Sequence, residues 1–170
     1  SSLLVISSYQ INEYLLNYES PRLVLIATSY DIAKKYYPLG SGFSTFGSSQ
    51  AQVNYSPLYK KYKFDSLYGL SKKNPIFLND NYIAMILAQT GFFGLLLYFF
   101  IMLNIFVKIN TNININRLLK STMLAVLFML YISSIATGII KTANGVMLFA
   151  VVAILHSNTI SKKRIEKKYN

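Results

Sequence analysis

Arg22 is the side chain in this sequence best suited to hold a phosphate. Ser20-Pro21-Arg22 reads as a helix start, with Ser20 as N-cap and Pro21 at the first helical position. A guanidinium there can grip phosphate oxygens in a bidentate fashion, beside backbone N–H groups that favour the same anion. A cation at a helix N-terminus is otherwise mildly unfavourable, which gives a reason to expect an anionic partner; a solvent-exposed arginine is the plainer alternative. Asp80 is the second candidate, a carboxylate able to orient or deprotonate a hydroxyl within hydrogen-bond reach. Capping the helix that follows accounts for Asp80 equally well. Gly40 and Gly42 can let the backbone approach a ligand, Lys60 and Lys61 can draw an anion, and Tyr55 and Tyr59 can stack on sugar faces. Turn glycines and a solvated basic loop are the ordinary alternatives. Without cysteine, and without a His, Asp or Glu cluster at ligand spacing, neither a metal site nor a thiolate nucleophile is expected, and no cofactor.

The elements that must position these residues are set by an uneven distribution of charge. Apolar residues make up 53% of 170 residues, and five of the six carboxylates fall in the first 80 positions. Ile83–Val107 is an uncharged run of 25 residues, Ser121–Ile140 one of 20, and Thr142–Ile160 one of 19. At about 1.5 Å per helical residue, each approaches or exceeds the roughly 30 Å of a bilayer core. The expected fold is therefore all-α and integral to a membrane: three C-terminal transmembrane helices over 81–109, 118–140 and 141–160, preceded by a long, partly helical extracytoplasmic loop. Lys108, Arg117 and Lys120 flank the 110–117 connection, and five basic residues lie in the 161–170 tail. The positive-inside rule puts both in the cytoplasm and residues 9–80 outside. The formal charge of +11 is dispersed over flanks and loop rather than lining one helix face, so nucleic acid is not an expected partner.

Within the outer region, Leu23, Ile26, Ala27, Tyr30, Ala33 and Tyr37 recur at helical spacing until Pro38, giving an amphipathic helix over 20–37. Pro38-Leu39-Gly40-Ser41-Gly42-Phe43-Ser44-Thr45-Phe46-Gly47 reads as a glycine-rich loop. Gly91 and Gly94 suit close helix packing. Gly138 to Gly145 reads as a tight turn between the last two helices. Residues 1–19 read as the end of a truncated membrane helix, and the chain, with no methionine before Met85, as a piece of a longer protein.

Arg22 opening a helix, Pro38-Leu39-Gly40-Ser41-Gly42-Phe43 with Thr45-Phe46-Gly47, Tyr55-Ser56-Pro57-Leu58-Tyr59, and Asp80-Asn81-Tyr82 leading into a helix with Gly91 and Gly94 resemble one known group. In order and spacing they are similar to the last large periplasmic loop and following helices of O-antigen and capsular polysaccharide polymerases. That superfamily of polytopic membrane proteins also includes the O-antigen ligases. The motif-level resemblance covers roughly residues 20–107. Ligases typically place a histidine just before the helix; here Phe77-Leu78-Asn79-Asp80-Asn81-Tyr82 has none, and the only histidine is His156. An arginine-x10-glycine spacing, often described for the polymerases, lands from Arg22 on Ala33.

The resemblance implies a bacterial inner-membrane glycosyltransferase that joins repeat units carried on undecaprenyl diphosphate, for O-antigen, capsule or exopolysaccharide. It implies as partners a lipid-linked glycan substrate, the lipid bilayer and a chain-length regulator. It also implies that upstream helices share the site, so that residues 1–170 alone are inactive. A ligase and a lipid-linked sugar transporter or flippase are the alternatives. A transporter predicts ionisable residues buried mid-helix, and the three apolar runs contain no Asp, Glu, Lys or Arg.

Overall fold

The computed structural model describes residues 20–112 and 115–169, with side chains described up to Ser157 except that of Ala136. Its regular elements are helices: α1 (Pro21–Lys35), α2 (Ser49–Val53), α3 (Pro57–Lys61), α4 (Tyr82–Thr111), α5 (Arg117–Ala136) and α6 (Ala143–Tyr169). Short 3₁₀ turns lie at Phe64–Ser66 and Ile139–Lys141, and no β-strand forms among the described residues. The expected truncated helix in residues 1–19 lies outside them. The chain divides into two units, one holding the residues up to Leu96 with Ile135–Gly138, the other Leu97–Ser134 and the residues from Ile139 on.

The first unit turns the polar, tyrosine-rich stretch into a folded body with an aromatic core. Leu25 and Ile32 of α1, Phe46, Tyr55, Tyr59, Phe64, Leu70 and Leu78 are buried together with Ala84 and Ala88 of α4. Tyr59 stacks on Phe64 with centroids 5.4 Å apart at 14°, while Phe46 and Tyr55 meet it at tilted angles. Ser56-Pro57 starts α3 by the same logic as Ser20-Pro21 starts α1, here with the Ser56 hydroxyl accepting the Leu58 N–H. Ser20 occupies the N-cap position of α1 without a side-chain hydrogen bond to the helix.

α4 is one helix by hydrogen-bonding pattern but is interrupted at Gly91, where φ is 66° and ψ is −166°. Only glycine occupies that region at low cost. The break falls within the helix expected over 81–109. Residues 82–90 carry Ala84, Leu87, Ala88 and Gln89, all buried, whereas Phe93, Leu96, Phe100, Leu103 and Phe106 beyond the break are exposed. Gly91 makes close contact with a loop instead of a neighbouring helix: a Cβ there would overlap the Pro38 carbonyl oxygen.

In the second unit Ile109, Ile115, Met123, Leu127 and Val152 form a small core. The Lys120 ammonium donates to the Asn110 carbonyl at 2.8 Å. α4 and α5 are long and apolar enough to cross a membrane; within α6, Ala143–Ser157 is a shorter apolar stretch. The α6 backbone stays helical through the basic tail to Tyr169 rather than ending at 160. An apolar cleft of 420 Å³ lies between α4 and α5, lined by Phe99, Met102, Phe106, Leu124, Phe128 and Tyr131 among others.

Candidate functional site

Arg22 and Asp80, 58 positions apart in sequence, come together in the first unit. Arg22 occupies the second position of α1, and Asp80 immediately precedes Asn81, the N-cap of α4. The Asn81 carboxamide oxygen accepts the Ala84 N–H at 2.8 Å, and its backbone carbonyl accepts from Met85. That fixes Asp80 one residue outside the helix. The Arg22 Nη2 and Asp80 Oδ2 lie 3.8 Å apart, with side chains 23% and 30% exposed. At that separation the contact is an ion pair without hydrogen-bond geometry, contributing about 0–1 kcal/mol. Asn81 itself is 1% exposed, and its Nδ2 is buried with no acceptor among the described residues.

Beside the start of α1 is a cavity of 340 Å³ lined by Pro21, Val24, Ser66, Leu67, Tyr68 and Leu70. Tyr68 is exposed, with one side of its ring against Phe77 at 6.4 Å. Among Tyr55, Tyr59 and Tyr68 it is the exposed ring, and it shares this cavity with Pro21. Sequence reasoning did not select it, because nothing in the spacing of the four tyrosines between 55 and 68 separates the exposed ring from the buried ones.

Tyr55 and Tyr59 are the buried ones, which corrects their assignment as sugar-stacking residues. Their rings pack on each other and, for Tyr59, on Phe46 and Phe64. The Tyr59 hydroxyl accepts the Gly47 N–H at 2.9 Å, and the Tyr55 hydroxyl donates to the Leu70 carbonyl at 3.3 Å. Burial pushes both phenols up to about 12.

Gly40 and Gly42 do bring backbone close to something, but it is α4 and not a ligand. A Cβ on Gly40 would overlap the backbone of Ala88, Gln89 and Gly91. The Gly42 N–H donates to the Gln89 carbonyl at 3.0 Å, and the Ser41 N–H to the Ala88 carbonyl at 2.8 Å. In an unbroken helix those carbonyls would accept from Phe92 and Phe93; the break at Gly91 releases them to the loop. Gln89 adds its side chain, which accepts from the Ser44 N–H at 3.2 Å and donates to the Phe46 carbonyl.

Lys60 and Lys61 end α3 and are exposed. Lys61 meets Lys35 at the far end of α1, thirteen residues or about 20 Å from Arg22, so these lysines do not join the Arg22–Asp80 pair. Among the described residues no group of three or more His, Asp or Glu is arranged to hold a metal ion. Compared with protein-family models, curated proteins and solved structures, the chain matches none.

Proposed function

We propose that this chain supplies the outer region and the following three membrane helices of a glycosyltransferase that polymerises undecaprenyl diphosphate-linked oligosaccharide repeats. The observation that carries the proposal is the approach of Arg22 to Asp80 at the adjoining starts of two helices. A departing diphosphate needs a planar cation, and an incoming sugar hydroxyl needs a base. The pair offers one of each, in contact and partly open to solvent. In the proposed reaction the diphosphate replaces Asp80 on the Arg22 guanidinium, which frees the carboxylate. The acceptor oxygen then attacks the anomeric carbon, the carbon–oxygen bond to the diphosphate breaks with its electron pair leaving on the phosphate, and the hydroxyl proton passes to Asp80. The Tyr68 ring beside α1 is the nearest surface for a sugar face.

A membrane setting is supported by apolar surface that water would not tolerate in such quantity: Phe100, Leu103 and Phe106 on α4, Leu118, Phe128 and Ile132 on α5, and Val146, Met147 and Ile154 on α6 are all exposed. Beyond Gly91, the twenty residues 92–111 measure about 30 Å, the thickness of the hydrocarbon core. The test is polymerisation of a lipid diphosphate-linked repeat by the full-length protein in liposomes. Arg22→Ala, Arg22→Lys and Asp80→Asn are expected to abolish the polymer ladder while insertion stays normal. An unchanged ladder in all three variants rules out this site.

A further inference from the structure

Loop 38–47 presents Leu39 and Phe43 away from the body that holds it, while its Phe46 is buried in the core. Leu39 is 66% exposed and Phe43 83%, and Tyr37 just before them is 73% exposed. The polar groups of the same loop turn inward. The N–H groups of Gly40, Ser41 and Gly42 donate to the Tyr36, Ala88 and Gln89 carbonyls. The Ser41 hydroxyl bonds to Thr45 Oγ1 at 2.6 Å and reaches the Ala88 carbonyl, and Thr45 Oγ1 donates to the Gly42 carbonyl. With these N–H and hydroxyl groups bonded inside the protein, less of the loop's polarity has to be stripped of water when it approaches a headgroup layer.

Its height along α4 is fixed by those same bonds. They attach it at Ala88 and Gln89, and within a few residues α4 exposes Phe93 and Leu96. Phe92 bridges the two, its ring meeting Tyr30 edge-on at 5.9 Å and Tyr37 at 6.4 Å. Tyr37, Leu39, Phe43, Phe93 and Leu96 thus prolong the apolar surface of α4 onto the loop. Lys34 lies over the Tyr30 ring at 4.7 Å, a pairing of amphipathic aromatic and long cationic side chain suited to a headgroup layer.

We propose that the loop tip carrying Leu39 and Phe43 is a membrane-inserting wedge, seated in the outer leaflet at the boundary of headgroups and acyl chains while α4 crosses beside it. The occupant of this surface is lipid. This rests on α4 crossing a bilayer, and the test separates the two statements. The protein has no tryptophan, so a single introduced indole reports on its own surroundings. Phe43→Trp, Phe100→Trp and Tyr68→Trp would each be reconstituted as the full chain in phosphatidylcholine vesicles carrying brominated acyl chains at graded depths.

Phe43→Trp is expected to show blue-shifted emission and quenching strongest for bromines about 5–10 Å below the headgroups. Phe100→Trp is expected to be quenched by deeper bromines, and Tyr68→Trp by aqueous iodide alone. Quenching of Phe100→Trp by lipid with Phe43→Trp answering only to iodide overturns the wedge and leaves the membrane helix standing. If Phe43→Trp is blue-shifted but insensitive to both quenchers, protein covers the loop and the wedge is likewise refuted. If Phe100→Trp also escapes the brominated lipids, the wedge and the membrane reading fall together.

Discussion

Replacing Gly91 with alanine should detach loop 38–47 from α4. The native backbone at Gly91 lies where any residue with a Cβ is strained by about 1–3 kcal/mol. The added methyl would also overlap the Pro38 carbonyl. One escape is for the helix to close over the break, so that Ala88 and Gln89 accept from Phe92 and Phe93. The Ser41 and Gly42 N–H groups then lose their acceptors, at about 0.5–1.5 kcal/mol each. The other is for the loop to move and keep the break. The two escapes are alternatives, and either one puts the cost to the docked loop at about 1–3 kcal/mol. Amide hydrogen exchange reads this directly: Ser41 and Gly42 should exchange at least about 5-fold faster in Gly91→Ala. Leu96→Ala is the control, since Leu96 is exposed on α4 beyond the break, and its loop amides should stay protected. Exchange at Ser41 and Gly42 as slow in Gly91→Ala as in the parent protein would refute the reasoning.

Three further outcomes are expected. Tyr59→Phe keeps the aromatic stack but leaves the buried Gly47 N–H without its acceptor, so unfolding in detergent should show a loss of about 1–3 kcal/mol, against about 3–5 for Tyr59→Ala. Because burial holds the Tyr59 phenol at about 12 in the folded chain, against about 10 when unfolded, its contribution is intact below pH 10 and lost as pH rises from 10 through 12. Thermal unfolding should fall across that window in the parent protein and less steeply in Tyr59→Phe. Asn81→Ala removes the α4 cap and should cost about 0.5–2 kcal/mol, whereas Asn81→Ser keeps a capping oxygen and removes the unpaired buried amide. Thermal unfolding equally poor for both variants would mean that the Nδ2 group has an acceptor.

Helix starts at Ser20-Pro21 and Ser56-Pro57 are legible because proline cannot be continued from the N-terminal side and has one comfortable place in a helix. The long apolar runs are legible because length and absence of charge are local properties. The break at Gly91 is not: Gln89-Thr90-Gly91 inside such a run looks like ordinary helix, and what opens it is the Pro38–Gly42 backbone arriving from fifty residues away. The partition of tyrosines was equally hidden, since Tyr55, Tyr59 and Tyr68 differ only in which long-range neighbours they meet. Arg22 and Asp80 were each legible as candidates from their places beside helix starts. That their side chains meet is a tertiary fact no local pattern encodes. Lys60 and Lys61 were grouped with them by charge alone, and α1 holds their end of the unit about 20 Å away.

Because Ala84, Leu87 and Ala88 form one wall of the first unit's core, that unit borrows structure from a segment made after it. A polypeptide ending at Asn81 would have every residue of the outer region and still lack the surface on which Phe46 and Tyr59 close. During synthesis the stretch from Ser20 to Asp80 must therefore wait, unfinished, until the first turns of α4 have been made. The order of events in folding is then dictated by the core itself, with formation of the helix preceding completion of the unit.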